Sequence, residues 1–370
     1  MGKNYFGELS IIGMKGCDKM LEKVDGYLHE WRDDKEGSYV VNAECPRFGS
    51  GEGKAIIHET LRGHDTYIYS DVFNYGVTYK MYGMQVPMSP DDHFQDLKRI
   101  IAATGGKTKR ITVIMPMLYE GRQHKRSARE SLDCAVALQE LVSMGVSNII
   151  TFDAHDPRVQ NAIPLNGFDS VRPTYQMLKA LMNNVPDIKI DKDNLMVVSP
   201  DEGAIGRSMY IASVCGIELG MFYKRRNYSI IVDGKNPIEA HEYLGKDLHG
   251  KDVIVVDDMI SSGDSMIDVS LQLKQRGAKR VFVFSTFALF CNGLDKFDKA
   301  YQDGVFDKIF ATNLTYHPEE VLSREWYCNV NMSKYISLLV DTINCDNSIS
   351  KLLDPADKIH NIVAKHKEGK

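Results

Sequence analysis

The chain of 370 residues is too long for one compact core and is expected to form about two domains. Apolar residues at 43% and charged residues at 26% are ordinary for a soluble globular protein, and a net charge of −5 argues against a general nucleic-acid coat. No apolar run reaches the roughly 18 residues of a membrane span, and seven cysteines scattered without a C-x-x-C pair favour reduced, buried thiols in the cytoplasm over disulfides or zinc. The start, Met1 to Phe6, has no signal-peptide apolar core. A short apolar run, Leu9 to Ile12, precedes a helical stretch around Met20 to Trp31. After Phe48-Gly-Ser-Gly-Glu52 comes a strand ending at Ser70 and Asp71. Ser89 suits a helix N-cap with Pro90 in the first turn, and Phe94, Leu97, Ile100 and Ile101 share one side of that helix.

Ile111 to Pro116 reads as a buried strand, followed by a basic loop from Gly121 to Arg129. A helix is expected from about Ser131 to Ser143, stopping near Gly145, then a strand over Asn148 to Phe152 that ends in Asp153-Ala-His155. The rhythm repeats with a helix at Thr174 to Met182, strand Leu195 to Val198, loop Ser199 to Gly203, helix Ala204 to Val214 and strand Leu219 to Tyr223. Lys224-Arg-Arg226 is read as leaving that strand into a polar segment, Asn227 to Glu239, able to close over a substrate.

Val253 to Val256 reads as a strand running into the carboxylate pair Asp257 and Asp258. A small-residue turn, Ser261 to Ser265, leads into a helix with Met266, Val269 and Leu273 on one stripe and Gly277 as its stop. Strand, loop and helix N-terminus together make an anion site. From this segment alone, an ordinary turn after a buried strand remains the alternative. A last strand follows over Val281 to Phe287.

The alternation with uninterrupted apolar strands predicts an α/β protein, with mainly parallel sheets flanked by helices. Functional loops of such sheets gather at the C-terminal strand ends. Those ends hold Arg122, Asp153, His155, Asp201, Lys224, Arg226, Asp257 and Asp258. Guanidinium groups of the 121–129 loop match phosphate oxygens, and Asp201, Asp257, Asp258 and His155 offer partners that suit Mg2+ beside phosphates better than zinc. The expected division is 1–165, 166–345 and a tail, 346–370.

The Asp257–Ser265 segment resembles the phosphoribosyl-binding loop shared by phosphoribosyltransferases and ribose-phosphate pyrophosphokinases (PRPP synthetases). Five further segments resemble the second group in the family's order: Phe48 to Glu52 with Leu61-Arg-Gly63, Gly121-Arg-Gln123, Asp153-Ala-His155, Ser199 to Gly203, and Lys224 to Arg226. The resemblance implies two phosphoribosyltransferase-type domains. It also implies transfer of the β,γ-diphosphoryl group of ATP to the 1-hydroxyl of ribose 5-phosphate, releasing AMP, in a homo-oligomer (a dimer, or a hexamer built from dimers).

By that resemblance Phe48, Ser50 and Glu52 contact adenine across a subunit interface, and Arg122 and Gln123 hold ATP. His155 and Asp201 serve Mg2+; Asp201, Asp257 and Asp258 serve the ribose. Ser261, Ser262, Gly263, Asp264 and Ser265 cradle the 5-phosphate, and Lys224, Arg226 and His155 form the catalytic set. Three alternatives stay open: a phosphoribosyltransferase that consumes PRPP, a non-catalytic regulatory relative, and a diphosphokinase for a larger ribose 5-phosphate-containing acceptor. Neither nucleic acid nor membrane is an expected partner. Two departures stand out: His124 replaces an acid of the family pattern, and Asp264 puts a carboxylate where a phosphate approaches, so its side chain must turn away.

Overall fold

The computed structural model describes residues 5–34, 37–226 and 238–368, with the side chains of 224–226 and 238–241 outside that description. The chain divides into two compact units. The first comprises Met1–Arg172, Leu314–Tyr316 and Asn331–Asp354; the second comprises Pro173–Asn313, His317–Val330 and Pro355–Lys370.

The first unit opens with β1 (Glu8–Gly13) and α1 (Asp18–Arg32). The helix turns Met20, Leu21, Val24 and Leu28 inward at helical spacing. A two-residue ribbon, β2 (Ala43–Glu44) with β3 (Ile56–Ile57), precedes β4 (His64–Tyr69). A hairpin of β5 (Thr78–Met81) and β6 (Met84–Pro87) leads to α2 (Pro90–Ala103). Ser89 and Asp92 close a reciprocal capping box there, and Phe94, Leu97, Ile100 and Ile101 are buried, as the pattern predicts. Then come β7 (Arg110–Ile114), α3 (Asp133–Ser143), β8 (Asn148–Phe152) and β9 (Gly167–Val171). The sheet runs β1-β4-β7-β8-β9, parallel throughout.

The second unit follows with α4 (Thr174–Asn184), β10 (Leu195–Ser199), α5 (Ile205–Cys215), β11 (Glu218–Arg226) and β12 (Ile238–Leu244). It continues with β13 (Asp252–Ile260), α6 (Asp264–Gln275), β14 (Arg280–Ala288), α7 (Asp295–Gln302), β15 (Lys308–Thr312), α8 (Glu319–Leu322) and β16 (Tyr327–Val330). Its sheet order is β12-β11-β10-β13-β14-β15-β16, with only β12 antiparallel to its neighbour. Val253, Val255, Val281, Val283 and Ile309 meet Met266, Val269, Leu273, Phe297 and Trp326 in one core. Burial of each large apolar side chain contributes roughly 1.5–3 kcal/mol.

Three expectations change. The strand expected over Val253 to Val256 extends through the carboxylate pair to Ile260, because β14 keeps pairing alongside it, Asp257 opposite Ser285 and Ile260 opposite Ala288. Lys224 to Arg226 do not leave their strand: β12 pairs antiparallel with them, Lys224 opposite His241. Of the polar segment 227–239, residues 227–237 lie outside the described residues, and the last two begin β12. The chain after β16 also crosses back. Helix α9 (Ser333–Asn344) packs on α1, and α10 (Ser350–Leu353) stays with the first unit, whereas α11 (Ala356–Lys367) packs on α4 and α5. Residues 167–171, beyond the expected boundary at 165, belong to the first sheet, and the expected tail divides between the units.

Asp71, just past β4, is buried and accepts the N–H groups of Phe73 at 3.1 Å and Tyr316 at 2.8 Å. Burial pushes its carboxyl up to about 7 despite those two donors. An unfolded aspartate titrates near ~4, so between about pH 4 and 7 the unfolded state binds fewer protons. Stability is expected to fall as pH rises through that window, with the loss complete above about pH 7. Melting temperature against pH checks this: Asp71→Asn flattens that part of the curve, and an unaltered slope overturns the assignment.

Candidate active site

The expected site residues fall into two groups, one in each unit. In the second unit, β10 pairs with β13 only as far as Val198 opposite Val255, while β14 runs on beside it. Asp257 and Asp258 therefore stand at the C-terminal edge of the sheet, where one flanking strand has stopped. Asp258 is buried and Asp257 partly so; the Asp258 N–H donates to Asp257 Oδ1 at 2.9 Å. Burial pushes the Asp257 carboxyl well up, Asp258 and Asp201 push it further, and Arg207 opposes them. Arg207, on α5, places Nη1 3.7 Å from Asp257 Oδ1 and 3.6 Å from Asp258 Oδ1. Two crowded carboxylates favour an arriving cation or hydroxyl donors, which would relieve their repulsion.

Asp201 caps the turn into α5, its Oδ1 accepting the N–H groups of Gly203 at 3.0 Å and Ala204 at 3.2 Å. Beyond β13 the loop is tied from behind. The Ile260 carbonyl accepts the Leu289 N–H at 2.8 Å, and the Ser261 carbonyl accepts the Cys291 N–H at 3.0 Å. Gly263 is the N-cap of α6 at φ +86°, and an added Cβ would lie 2.0 Å from Phe297 Cζ, so both backbone and space require glycine. With those carbonyls engaged, the N–H groups of Ser262, Gly263 and Ser265 have no protein acceptor among the described hydrogen bonds. A helix N-terminus with such donors suits an oxyanion. Asp264, its side chain 72% exposed, is paired with Lys296, whose Nζ lies 2.6 Å from its Oδ1; Lys296 first and the Ser262 side chain second hold its carboxyl below the usual range.

In the first unit, Phe48 to Glu52 form a tight surface turn closed by Phe48 N–H to the Glu52 carbonyl at 2.8 Å. Ser50 Oγ donates to Glu52 Oε2 at 2.8 Å, Phe48 is exposed, and the Tyr82 N–H donates to the Gly49 carbonyl at 2.8 Å. Arg122 is exposed and Gln123 partly so, in turns held by Gly121 N–H to Leu118 and Gln123 N–H to Glu120 carbonyls. His155 is exposed after β8, its ring centroid 5.3 Å from that of His124. His124 Nε2 stands 3.6 Å from Asp156 Oδ2, and Arg158 holds the Asp156 carboxyl well below the usual carboxylate range. The backbone of Lys224 and Arg226 ends β11; their side chains lie outside the described residues. Among the described residues, no three His, Cys, Asp or Glu side chains stand together as a metal cage.

Sequence reasoning missed Arg207 and Lys296. Arg207 carried a weak signal, lying in the first turn of a helix after a strand-end loop; Lys296 carried none.

Residues 9–145 match the model of the N-terminal domain of ribose phosphate pyrophosphokinase, and residues 173–313 match that of the phosphoribosyl transferase domain. A ribose-phosphate pyrophosphokinase of Vibrio parahaemolyticus is 28% identical over 85% of this chain and 91% of its own length. One from Chlorobaculum tepidum is 24% identical over 97% of this chain and 99% of its own. The crystal structure of a phosphoribosylpyrophosphate synthetase from Mycobacterium smegmatis shares the fold, with a TM-score of 0.72 at 20% identity, over 91% of this chain and 98% of that one. With both halves matched in order, by models that cover most of its length, the chain belongs to the ribose-phosphate pyrophosphokinase family.

Proposed function

We propose that the protein is an ATP-dependent ribose-phosphate diphosphokinase, forming PRPP and AMP from ATP and ribose 5-phosphate. The observation that carries this is the tied-back Ser261–Ser265 loop at the N-terminus of α6 beside the Asp257/Asp258 pair, in a chain whose other half matches the family's N-terminal domain. The loop N–H groups take the 5-phosphate, and Asp257 and Asp258 accept hydrogen bonds from ribose hydroxyls, orienting the 1-hydroxyl. Arg122 and Gln123 grip the ATP phosphates, while Phe48, Ser50 and Glu52 receive adenine in a homo-oligomer. The 1-hydroxyl oxygen attacks the β-phosphorus and gives up its proton to solvent, the bond from that phosphorus to the α,β-bridging oxygen breaks, and AMP leaves with that oxygen. Lys224 and Arg226 stabilise the charge that builds on the transferring group. His155 and Asp201 would hold Mg2+, which neutralises phosphate charge.

The test is phosphorus NMR of the protein with ATP, Mg2+ and ribose 5-phosphate. AMP and a sugar pyrophosphate are expected in equal amounts; their absence across varied Mg2+ and phosphate overturns the assignment.

A further inference from the structure

Asp264 occupies the first position of α6, beside the donors that an incoming phosphate needs. A carboxylate there is attracted to the same N-terminal N–H groups and dipole, so it competes with the ligand and repels a dianion. The structure holds it elsewhere. Lys296, in the first turn of α7, takes Asp264 Oδ1 at 2.6 Å, while the adjacent Phe297 closes over Gly263 and fills the space a Cβ would need. Leu289 and Cys291, earlier in the same segment, bind the carbonyls of Ile260 and Ser261. One stretch, 289–297, therefore engages the carbonyls of Ile260 and Ser261 and the Asp264 carboxylate, while the N–H groups of Ser262, Gly263 and Ser265 keep no protein acceptor among the described hydrogen bonds.

The pair is well placed for such a role and poorly placed for stability. Asp264 is 72% exposed and Lys296 29% exposed at the side chain, and exposed ion pairs add little to folding. Neither side chain needs to touch the substrate. We propose that Lys296 is a positioning residue that holds Asp264 off the α6 N-terminus, so that the Ser261–Ser265 loop can accept a phosphate monoester dianion. This rests on the reading of that loop as the ribose 5-phosphate site, and it makes the affinity of the loop depend on a lysine 32 residues away from the carboxylate it restrains.

The test uses the full chain and measures binding of ribose 5-phosphate, and of ribose as the phosphate-free control, by calorimetry. Lys296→Met is expected to weaken ribose 5-phosphate about tenfold or more, to leave the melting temperature within a few degrees, and to raise KM more than it lowers kcat. Adding Asp264→Ser to Lys296→Met restores the affinity, because the competing carboxylate is gone, and Lys296→Arg retains it. Equal affinity in wild type and Lys296→Met, or failure of Asp264→Ser to rescue, overturns the inference. The same holds if the wild type prefers ribose 5-phosphate no more than ribose. Failure of the function reading registers separately: wild type then binds ribose 5-phosphate but yields no AMP and sugar pyrophosphate.

Discussion

Replacing Lys224 with alanine is expected to lower kcat about a hundredfold or more while leaving ATP binding largely intact. In-line displacement at the β-phosphorus asks little covalent chemistry of the protein; positioning and fixed positive charge carry the acceleration. A cation that interacts more strongly with the transition state than with bound ATP raises kcat; one that binds both equally lowers only KM. Lys224 lies near the end of β11, past the last residue paired with β10, Met221, and its backbone is held by β12, which pairs with Lys224 at His241 and continues to Arg226 opposite Ile238. The measurement is steady-state kinetics paired with direct ATP binding. A loss confined to KM, with kcat intact, removes Lys224 from the transition state.

Arg110→Ala is expected to destabilise the protein by about 3–5 kcal/mol, the cost typical of leaving a buried charge without its partner. Asp65 is fully buried, and Arg110 grips it with two bonds, Nε to Oδ1 at 2.7 Å and Nη2 to Oδ2 at 2.6 Å. Tyr67 Oη at 3.0 Å and Asn344 Nδ2 at 2.9 Å complete the shell of Oδ2. Arg110 Nη2 also donates to the Ile343 carbonyl at 3.0 Å, and its guanidinium lies 4.0 Å from the Phe6 ring centroid. The alanine change strips the carboxylate of both charged bonds and removes the tie to the Ile343 carbonyl, leaving Asn344 to hold the end of α9. Urea denaturation reads the effect. A loss under about 1 kcal/mol would mean that water or a neighbour satisfies Asp65 in the variant, and the network would not be the lock it resembles.

That network marks the limit of what was legible along the chain. Strands such as Asn148–Phe152 and helices such as α2 announced themselves through apolar periodicity and caps, which are local. Asp65 and Arg110 carried no such signal, because their pairing depends on two parallel strands lying side by side and on a helix that returns 233 residues after Arg110. The end of β13 was misjudged for a related reason. Aspartate disfavours strands locally, yet a continuing ladder with β14 outweighs that preference.

The phosphate loop divides the two sources of information cleanly. Residue types and order alone pointed to a strand, a carboxylate pair, a small-residue turn and a helix in succession from Val253 to Gly277, and the family resemblance added that Asp264 would have to turn aside. Only the tertiary structure decided where it turns. Lys296 and Phe297 reach the loop from α7 because β14 returns the chain to the same edge of the sheet, and contacts made across such a return depend on packing geometry that no local pattern encodes.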